Sequence, residues 1–410
     1  MSDFEQKFDR YADLAVKVGV NIQKGQTLVI NATLDAADFV RKVAEKAYEA
    51  GAKNVHVEWT DETLTRIKYD MAPDEAFKEY PMWKAKGYEE LAEQGAAFMS
   101  IKPSNPDLLK GVDPQRIADA NKAAGEAMKN YRQYVMADKI SWCVIAVPSP
   151  EWAAKVFPDL PKSEQMPALW DAIFKATRAD LEDPVQAWEQ HLQTLNEKME
   201  YLNKKRFRKL HFKAPGTDLT IALPEKHIWM SGGSINDEGR RFVANIPTEE
   251  VFTAPDKDGV NGVVRSTKPL SYSGNLIDNF ELKFENGRVV DFSAETGEEI
   301  LKRLLETDDG ASRLGEVALV PHHSPISQSE LIFYNTLFDE NASNHIALGQ
   351  GYAFCIDGGK TMTPEQLEKE GVNQSITHVD FMIGSADMDI DGETADGSLE
   401  PVFRKGNWAF

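Results

Sequence analysis

The stretch QTLVINATLDAADFVRKVAEKAYEAGAKNVHVEWT, residues 26–60, decides the fold class of the first half of the chain. QTLVINA is a strand-like apolar run, and DAADFVRKVAEKAYEAG has the apolar spacing of a helix that is closed by Gly51. NVHVEWT then alternates between apolar and polar residues, as a half-buried strand does. Strand, helix and strand together predict one βαβ unit, whose two strands pair in parallel.

The same order returns further along the chain, where the apolar run KISWCVIAV at 139–147 precedes the helix-like PEWAAKVF at 150–157. We therefore predict an α/β N-terminal domain over residues 1–200. Its turns contain neither G-x-G-x-x-G nor G-x-x-x-x-G-K-[ST], so no nucleotide-binding loop is indicated. VQAWEQHLQTLNEKMEYL, residues 185–202, has one apolar stripe and is predicted to be the helix that joins the two domains, with His191 exposed on the opposite side.

From residue 209 the pattern changes to short alternating segments with turn signals. KLHFKAPGTDLTIAL predicts a hairpin around Pro215 and Gly216, and LKFENGRVVDF predicts another around Asn286 and Gly287. The segment EEILKRLLET has helical spacing and interrupts the strands. Residues 201–410 are therefore predicted to form a β-rich, mixed α+β domain, and this domain carries the candidate catalytic residues.

Length and composition agree with two soluble domains. A chain of 410 residues exceeds the usual domain size of about 50 to 250 residues. No window approaches the roughly 18 consecutive apolar residues of a membrane span, and the acidic N-terminus lacks the features of a signal peptide, so we expect a cytoplasmic protein. A net charge of −20 argues against binding nucleic acid. Cys143 and Cys355 are expected to be buried and unpaired.

The strand-like segment THVDFMIG, residues 377–384, places His378 and Asp380 two positions apart. Side chains two apart in a strand project from the same face, so this pair offers two ligands to one metal ion. A polar pair that is hydrogen-bonded within the core is the alternative interpretation.

Carboxylates also interrupt other apolar segments of the second half. Glu316 leads the apolar strand GEVALV, and Glu250 comes directly before the run Val-Phe-Thr in NIPTEEVFTAP. Such positions disfavour a charged side chain unless a cation faces it. Glu249 alternates to the other face and is expected to be exposed. Glu340 and His345 add a further carboxylate and imidazole from FDENASNHIALGQGYAF, residues 338–354.

If these groups converge, four carboxylates would repel one another, and two divalent ions would cancel their charge. Oxygen and nitrogen donors without sulfur suit zinc, cobalt or manganese, with magnesium as a further possibility. Two ions about 3.5 to 4 Å apart are typical of hydrolases that cleave amide or phosphate bonds. The sequence contains neither H-E-x-x-H nor G-x-S-x-G, so the thermolysin-like and α/β-hydrolase sites are not indicated.

Two other motifs have ordinary structural interpretations. His322 and His323 follow a proline and precede Ser-Pro, which favours a hydrogen-bonded surface turn over a metal site. DMDIDGETADGS begins like a calcium-binding EF-hand loop, but its twelfth position is Ser398 instead of glutamate. We predict a β-turn at Asp391 and Gly392 that joins two strands.

The strings NIPTEEVFTAP, LGEVALVPHHSPIS, LFDENASNHIALGQGY and THVDFMIGS resemble the aminopeptidase T, PepS and AmpS family of metallo-aminopeptidases, peptidase family M29. The resemblance runs through nearly the whole chain, from YADLAVKVGVNIQKGQ onward. It implies an α/β domain followed by a β-rich catalytic domain, assembly as a homodimer, and release of N-terminal amino acids from peptides with broad tolerance of side chains.

The resemblance also implies how the site residues act. Two metal ions would activate the water that attacks the first peptide bond, with Glu316 as the bridging ligand. Tyr352 matches an active-site tyrosine that would stabilise the tetrahedral intermediate or approach a metal. The implied ligands of the two divalent ions are Glu250, Glu316, Glu340, His345, His378 and Asp380.

Two alternatives stay open from the sequence. Glu250 and Glu316 could act as the acid and base of a metal-independent, glycosidase-like hydrolase. The chain could also be a peptide-binding protein without catalytic activity. Metal analysis discriminates the first alternative from a metallopeptidase, and an assay with aminoacyl amides discriminates the second.

Overall fold

The computed structural model describes residues 2–102, 105, 107–272 and 275–410. By spatial contacts the chain divides into two compact units, Met1–Gln190 with Gly233–Pro247, and His191–Gly232 with Thr248–Phe410. The domain limits at residues 200 and 201 remain a prediction.

Helices and strands alternate in the first part of the chain, and strands predominate in the second. The helices are α1 (Asp3–Leu14), α2 (Ala37–Glu49), α3 (Glu62–Met71), α4 (Met82–Glu93), α5 (Pro114–Ala127), α6 (Lys129–Met136), α7 (Pro150–Val156), α8 (Lys162–Ala176), α9 (Pro184–Lys205), α10 (Glu298–Leu305), α11 (Pro325–Gln328), α12 (Thr336–Asp339) and α13 (Pro364–Lys369). The strands are β1 (Thr27–Thr33), β2 (Asn54–Thr60), β3 (Ala97–Lys102), β4 (Trp142–Ala146), β5 (Lys209–Ala214), β6 (Thr217–Ala222), β7 (Met230–Ser231), β8 (Ser234–Ile235), β9 (Arg241–Phe242), β10 (Val251–Thr253), β11 (Val260–Arg265), β12 (Leu270–Tyr272), β13 (Asn275–Glu285), β14 (Arg288–Thr296), β15 (Leu314–Leu319), β16 (His345–Gly349), β17 (His378–Met382), β18 (Asp389–Glu393), β19 (Leu399–Arg404) and β20 (Asn407–Trp408).

The first unit contains a parallel four-stranded sheet in the order β2-β1-β3-β4. The βαβ unit expected from residues 26–60 is confirmed, since β1 and β2 pair in parallel and α2 connects them. Gly51 follows α2 with a φ of +97°, a left-handed conformation that glycine adopts without strain. The second predicted pair is also confirmed as β4 and α7, whose N-terminus is capped by the Ser149 side chain.

The second unit is β-rich and contains two larger sheets. One is a nine-stranded sheet that runs β12-β13-β11-β6-β5-β18-β19-β20, with β14 paired to β13. Both predicted hairpins are confirmed, and Asn286 and Gly287 have φ values of +50° and +80°, as a tight two-residue hairpin turn requires. The predicted fold class, an α/β half followed by a mixed α+β half, is confirmed.

The other sheet of this unit is a five-stranded antiparallel sheet in the order β17-β16-β15-β10-β7. Its apolar side chains share one hydrophobic core with the nine-stranded sheet and with α10. Phe280 of β13 and Phe381 of β17, for example, have ring centroids 5.1 Å apart. One face of the five-stranded sheet therefore packs against the hydrophobic core.

Two local predictions are wrong. Asp391 and Gly392 do not form a turn but lie inside β18, and the turn comes later, where Gly397 has a φ of +84°. Gly392 is needed for close packing, because a Cβ there would lie 2.6 Å from the Phe207 ring. His191 is not exposed, since its Nε2 lies 2.8 Å from the Thr248 carbonyl oxygen and its side chain is only 12% accessible.

Two other expectations are met. His322 and His323 lie in a turn, which the bond from the Ser324 amide to the Pro321 carbonyl closes at 2.9 Å. Cys143 and Cys355 are buried and free. In the described part of the chain, we find no helix with both the length and the apolar character needed to span a membrane.

Candidate metal centre

The candidate site occupies the second face of the five-stranded sheet. Val317, Ile346 and Phe381 point from β15, β16 and β17 into the apolar core. Because side chains alternate along a strand, their neighbours Glu316, His345 and Asp380 emerge on the opposite face. The predicted ligands on these three strands therefore share one surface.

The strand register brings these polar side chains together and leaves space between them. Asp380 and Glu316 both pair with Ala347, which lies between them on β16. His345 is opposite Ala318 on β15, and His378 is opposite Gly349 on β16. Each of these four side chains thus has a small residue beside it on an adjacent strand, so carboxylate and imidazole groups can meet above the sheet.

Glu250, Glu316 and His345 form the first group, with ligand atoms that all lie within 4.8 Å of one another. The Nε2 atom of His345 is 3.1 Å from Oε2 of Glu250 and 3.5 Å from Oε1 of Glu316. All three residues are buried. Glu250 reaches the group from the residue immediately before β10.

Glu316, His378 and Asp380 form the second group, to which the same 4.8 Å limit applies. The Nε2 atom of His378 lies 3.6 Å from Oε2 of Glu316 and 3.3 Å from Oδ1 of Asp380. Glu316 therefore belongs to both groups and presents one carboxylate oxygen to each imidazole. The Glu316 carboxylate is thus the side chain that the two groups share.

Both histidines are held by backbone carbonyls that no sequence pattern identifies. Nδ1 of His345 lies 3.2 Å from the Ser343 carbonyl oxygen, and Nδ1 of His378 lies 2.7 Å from that of Gln350. With Nδ1–H donating to a carbonyl, Nε2 is the nitrogen that faces the carboxylates; it carries the second proton of the imidazolium without metal and would offer its lone pair to a cation that displaced this proton. This is the orientation that metal-binding histidines commonly have.

Glu340 and Tyr352 lie beside the two groups. Glu340 belongs to the 3-10 turn Glu340–Ala342 and not to a strand. Burial raises the pKa of its carboxyl well above the usual range, and the charges of Asp380 and Glu250 raise it further. The Tyr352 ring has its centroid 5.0 Å from that of His378, which places the phenol next to the second group.

The electrostatics reflect crowded acidic groups in a buried site. The pKa of Glu316 is raised to about 7: burial is the largest cause, the His345 bond opposes it, and the charges of Asp380 and Glu250 act in the same direction as burial. Burial lowers the pKa of His345 and His378, but their carboxylate neighbours outweigh it, and the pKa of His378 rises to about 10. Burial raises the pKa of Asp380, yet His378 brings it below its ordinary value.

These pKa shifts arise because the site concentrates negative charge, which bound protons neutralise only in part. Divalent cations would neutralise it instead, and the donors are the carboxylate oxygens and imidazole nitrogens that zinc, cobalt and manganese accept. The residues present therefore fit a divalent metal centre.

Sequence patterns fail for two residues beside the site: the exposure of Glu249 is predicted wrongly, and Asn341 is not identified at all. Glu249, expected to be exposed, is buried with 3% accessibility, and one of its carboxylate oxygens lies 3.5 Å from Nε2 of His191. Its backbone amide donates to the Asn341 side chain at 2.7 Å. The Asn341 amide nitrogen also donates to the Leu337 carbonyl at 3.1 Å and faces a Glu340 carboxylate oxygen at 3.4 Å. No sequence pattern distinguishes Asn341 from a loop residue.

A β-rich unit that carries shared carboxylates and two oriented imidazoles on one sheet face has the features of a metal-dependent hydrolase. Comparison with known proteins identifies the kind. The family model described as thermophilic metalloprotease (M29) matches residues 4–408. The chain belongs to this family, peptidase family M29, and the resemblance noted in the sequence is confirmed.

Individual relatives agree over their full lengths. The chain is 62% identical over 410 residues to aminopeptidase AmpS of Bacillus subtilis, covering 100% of both chains. It is 60% identical over 410 residues to aminopeptidase 2 of Geobacillus stearothermophilus, covering 100% of this chain and 99% of that one. The solved structure of wild-type AmpT from Thermus thermophilus superimposes with a TM-score of 0.94 at 44% identity, covering 99% of this chain and 100% of that one.

The position of Asn341 generates a first prediction. Asn341→Ala removes the acceptor of the Glu249 amide and the donor beside Glu340, so we expect the affinity for zinc to fall about 10- to 100-fold, as losses of such supporting bonds do. Zinc affinity is measured by competition with a chromophoric chelator.

Asn203→Ala is the matched control, because Asn203 also accepts from one backbone amide and donates to one carbonyl, both of Trp229. Both variants are expected to lose about 1 to 3 kcal/mol of unfolding free energy. An equal zinc affinity in the two variants would show that Asn341 has only a structural role.

Proposed function

We propose that this M29 aminopeptidase binds two divalent ions at the Glu316 cluster and releases N-terminal amino acids from peptides, with broad tolerance of side chains. The observation that carries the proposal is the position of Glu316, whose two oxygens face two separate groups of ligands. Membership of family M29 supports metal dependence and peptide hydrolysis. Peptides with a free N-terminus are the proposed substrates.

In this proposal Glu250, Glu316 and His345 hold one ion, and Glu316, His378 and Asp380 hold the other. Glu340 completes the set from its position beside both groups. We propose zinc or cobalt as the ions, with manganese or magnesium as alternatives, because the donors are nitrogen and oxygen. When bound, such ions lower the pKa of water and polarise the carbonyl of the scissile bond.

The chain's own groups would bind the substrate and move its protons. A carboxylate near the cluster would accept the free amino terminus and so fix cleavage at the first bond. Burial raises the pKa of the Tyr352 phenol, and the charges of Glu316 and Asp380 raise it further, so its O–H stays protonated and can donate to the oxyanion that forms. A carboxylate of the cluster would take a proton from the attacking water and pass it to the leaving amine.

Metal removal tests this proposal directly. After dialysis against a chelator, hydrolysis of leucyl amides is expected to be lost, because the residues alone supply no activated water near neutral pH. Activity should return when zinc or cobalt is added back, with about two ions per chain by elemental analysis.

Two variants test whether the metal needed for activity binds at the Glu316 cluster. His378→Ala and Asp380→Ala are each expected to lower both metal content and turnover while the circular dichroism spectrum is unchanged. Undiminished hydrolysis by the metal-free protein would instead favour a carboxylate-pair hydrolase, and metal binding without any product would favour a peptide-binding protein.

The raised pKa values predict how pH affects the metal-free protein. The folded state holds a proton on Glu316 up to about pH 7, whereas the unfolded chain loses it at about pH 4.3, so the unfolding free energy falls as pH rises through this window. The raised histidine pKa values act in the same direction, with stability lost from about pH 6.5 upward. Urea titrations at several pH values, with and without zinc, measure the effect.

Zinc is expected to flatten this pH dependence, because cations take the place of the protons. Glu316→Gln provides the control, since the amide has no proton to hold and its slope below pH 7 should be smaller in the absence of metal. An identical slope with and without zinc in the unaltered protein would contradict the assignment of these groups to a metal centre.

We also propose that the chain is a homodimer in the cytoplasm. The resemblance to the family supports dimerisation, and α3 exposes Leu64, Ile67 and Met71 along one side. An apolar face of this kind is typical of a surface that another chain covers. Light scattering should give twice the chain mass of 45.9 kDa, and Ile67→Glu should shift it toward the monomer. A monomeric unaltered protein would contradict the dimer.

A further inference from the structure

Three aromatic side chains lie next to the candidate metal centre and are not among its predicted ligands. Tyr352 and Phe354 stack with ring centroids 5.0 Å apart and an interplanar angle of 15°. Phe252 meets both edge-on, at centroid distances of 6.1 Å and 6.2 Å. We call these three rings the aromatic wall.

The sheet register fixes the wall at the metal centre. Phe252 lies two residues after Glu250, on the same side of β10, and is opposite Ala318, which shares the site face of β15 with Glu316. On the other side of the wall, the Tyr352 ring contacts the His378 ring with centroids 5.0 Å apart. The wall therefore joins the cluster at two points.

The wall is only partly covered by the protein. Phe252, Tyr352 and Phe354 are half-buried, whereas Phe381, on the core face of the same sheet, has 0% accessibility. Large apolar rings that stay partly exposed beside a polar cluster gain free energy when an apolar group covers them. The position of the aromatic wall therefore favours a ligand whose apolar group covers the rings while another part of it reaches the Glu316 cluster.

The reaction determines which part of a substrate comes to the wall. An aminopeptidase attacks the carbonyl of the first residue, so this carbonyl must lie at the Glu316 cluster. The side chain of the same residue starts only two bonds from the carbonyl carbon. It must therefore lie within a few bond lengths of the cluster, where the rings of Tyr352 and Phe252 are.

We propose that Phe252, Tyr352 and Phe354 form the binding surface for the side chain of the substrate's first residue. This proposal rests on the proposed function and specifies its substrate class. The surface favours aromatic and large aliphatic side chains, and an open wall sets no strict upper limit on their size. Aspartate and glutamate are disfavoured as first residues, because a carboxylate placed against apolar rings loses its hydration without gaining a partner.

Phe354→Ala tests the surface without altering a predicted ligand. The ratio of kcat/KM for phenylalanyl p-nitroanilide to kcat/KM for alanyl p-nitroanilide should fall about tenfold, the low end of what a hydrophobic contact contributes to discrimination. The fall should appear mainly in KM for the phenylalanyl substrate. Phe354→Leu keeps an apolar side chain and should give an intermediate ratio.

Phe292→Ala is the matched control. Phe292 is also a half-buried phenylalanine of the second unit, but it lies on β14 and packs against the hydrophobic core. Its loss is expected to lower thermal stability and to leave the substrate ratio unchanged. Zinc content and circular dichroism are measured for each variant, and Phe354→Leu decides the question if Phe354→Ala does not fold.

The outcomes separate the two proposals. An unchanged ratio in a folded, metal-loaded Phe354 variant, or an equal loss for both substrates, would overturn the aromatic wall as the specificity surface while the aminopeptidase itself stands. A glutamyl substrate cleaved as well as the phenylalanyl substrate by the unaltered protein would overturn it also. If the unaltered protein shows no metal-dependent release from any substrate, the proposed function fails and this inference fails with it.

Discussion

The structure depends on one buried carboxylate, Glu316, in a strand whose other side chains are apolar. A carboxylate in such a place loses hydration, and this one also faces other acidic groups, so it resists ionisation unless positive charge lies nearby. Two imidazoles provide part of this charge, one for each oxygen. Part of the negative charge of the site is thus left uncompensated and favours cation binding. It is centred on Glu316, the residue that both groups of the cluster share.

The fold meets this demand through the two-residue period of β-strands. One set of side chains on β15, β16 and β17 completes the hydrophobic core, and the alternate set carries the acidic and imidazole groups. The core and the site therefore constrain the same register. A shift of one residue in any of these strands would place charged groups in the core and apolar groups in the site, so the packing that stabilises the sheet also positions the proposed ligands.

Much of this architecture can be predicted from sequence because it depends on local periodicity. The βαβ unit, both hairpins and the shared face of His378 and Asp380 all follow from spacing within one segment. The wrong predictions concern residues whose conformation or burial is decided by contacts with segments distant in the sequence. Local spacing predicts a turn at Gly392, but the Phe207 ring demands glycine in the strand. Alternation predicts an exposed Glu249, but this residue is buried near His191, and Asn341 bonds to its backbone amide from 92 residues away. No local pattern reports such partners.

Asn341 shows why these long-range contacts matter for the site. The proposed ligands on β15, β16 and β17 are placed by the hydrogen-bond ladder of the sheet, whereas Glu250 precedes its strand and Glu340 lies in a 3-10 turn. These two segments need another constraint, and the Asn341 side chain connects them by bonding next to Glu250 and facing Glu340. Cations bound between the two carboxylates would strengthen the same connection. Metal binding and the ordering of these segments should therefore be coupled, because each lowers the free-energy cost of the other.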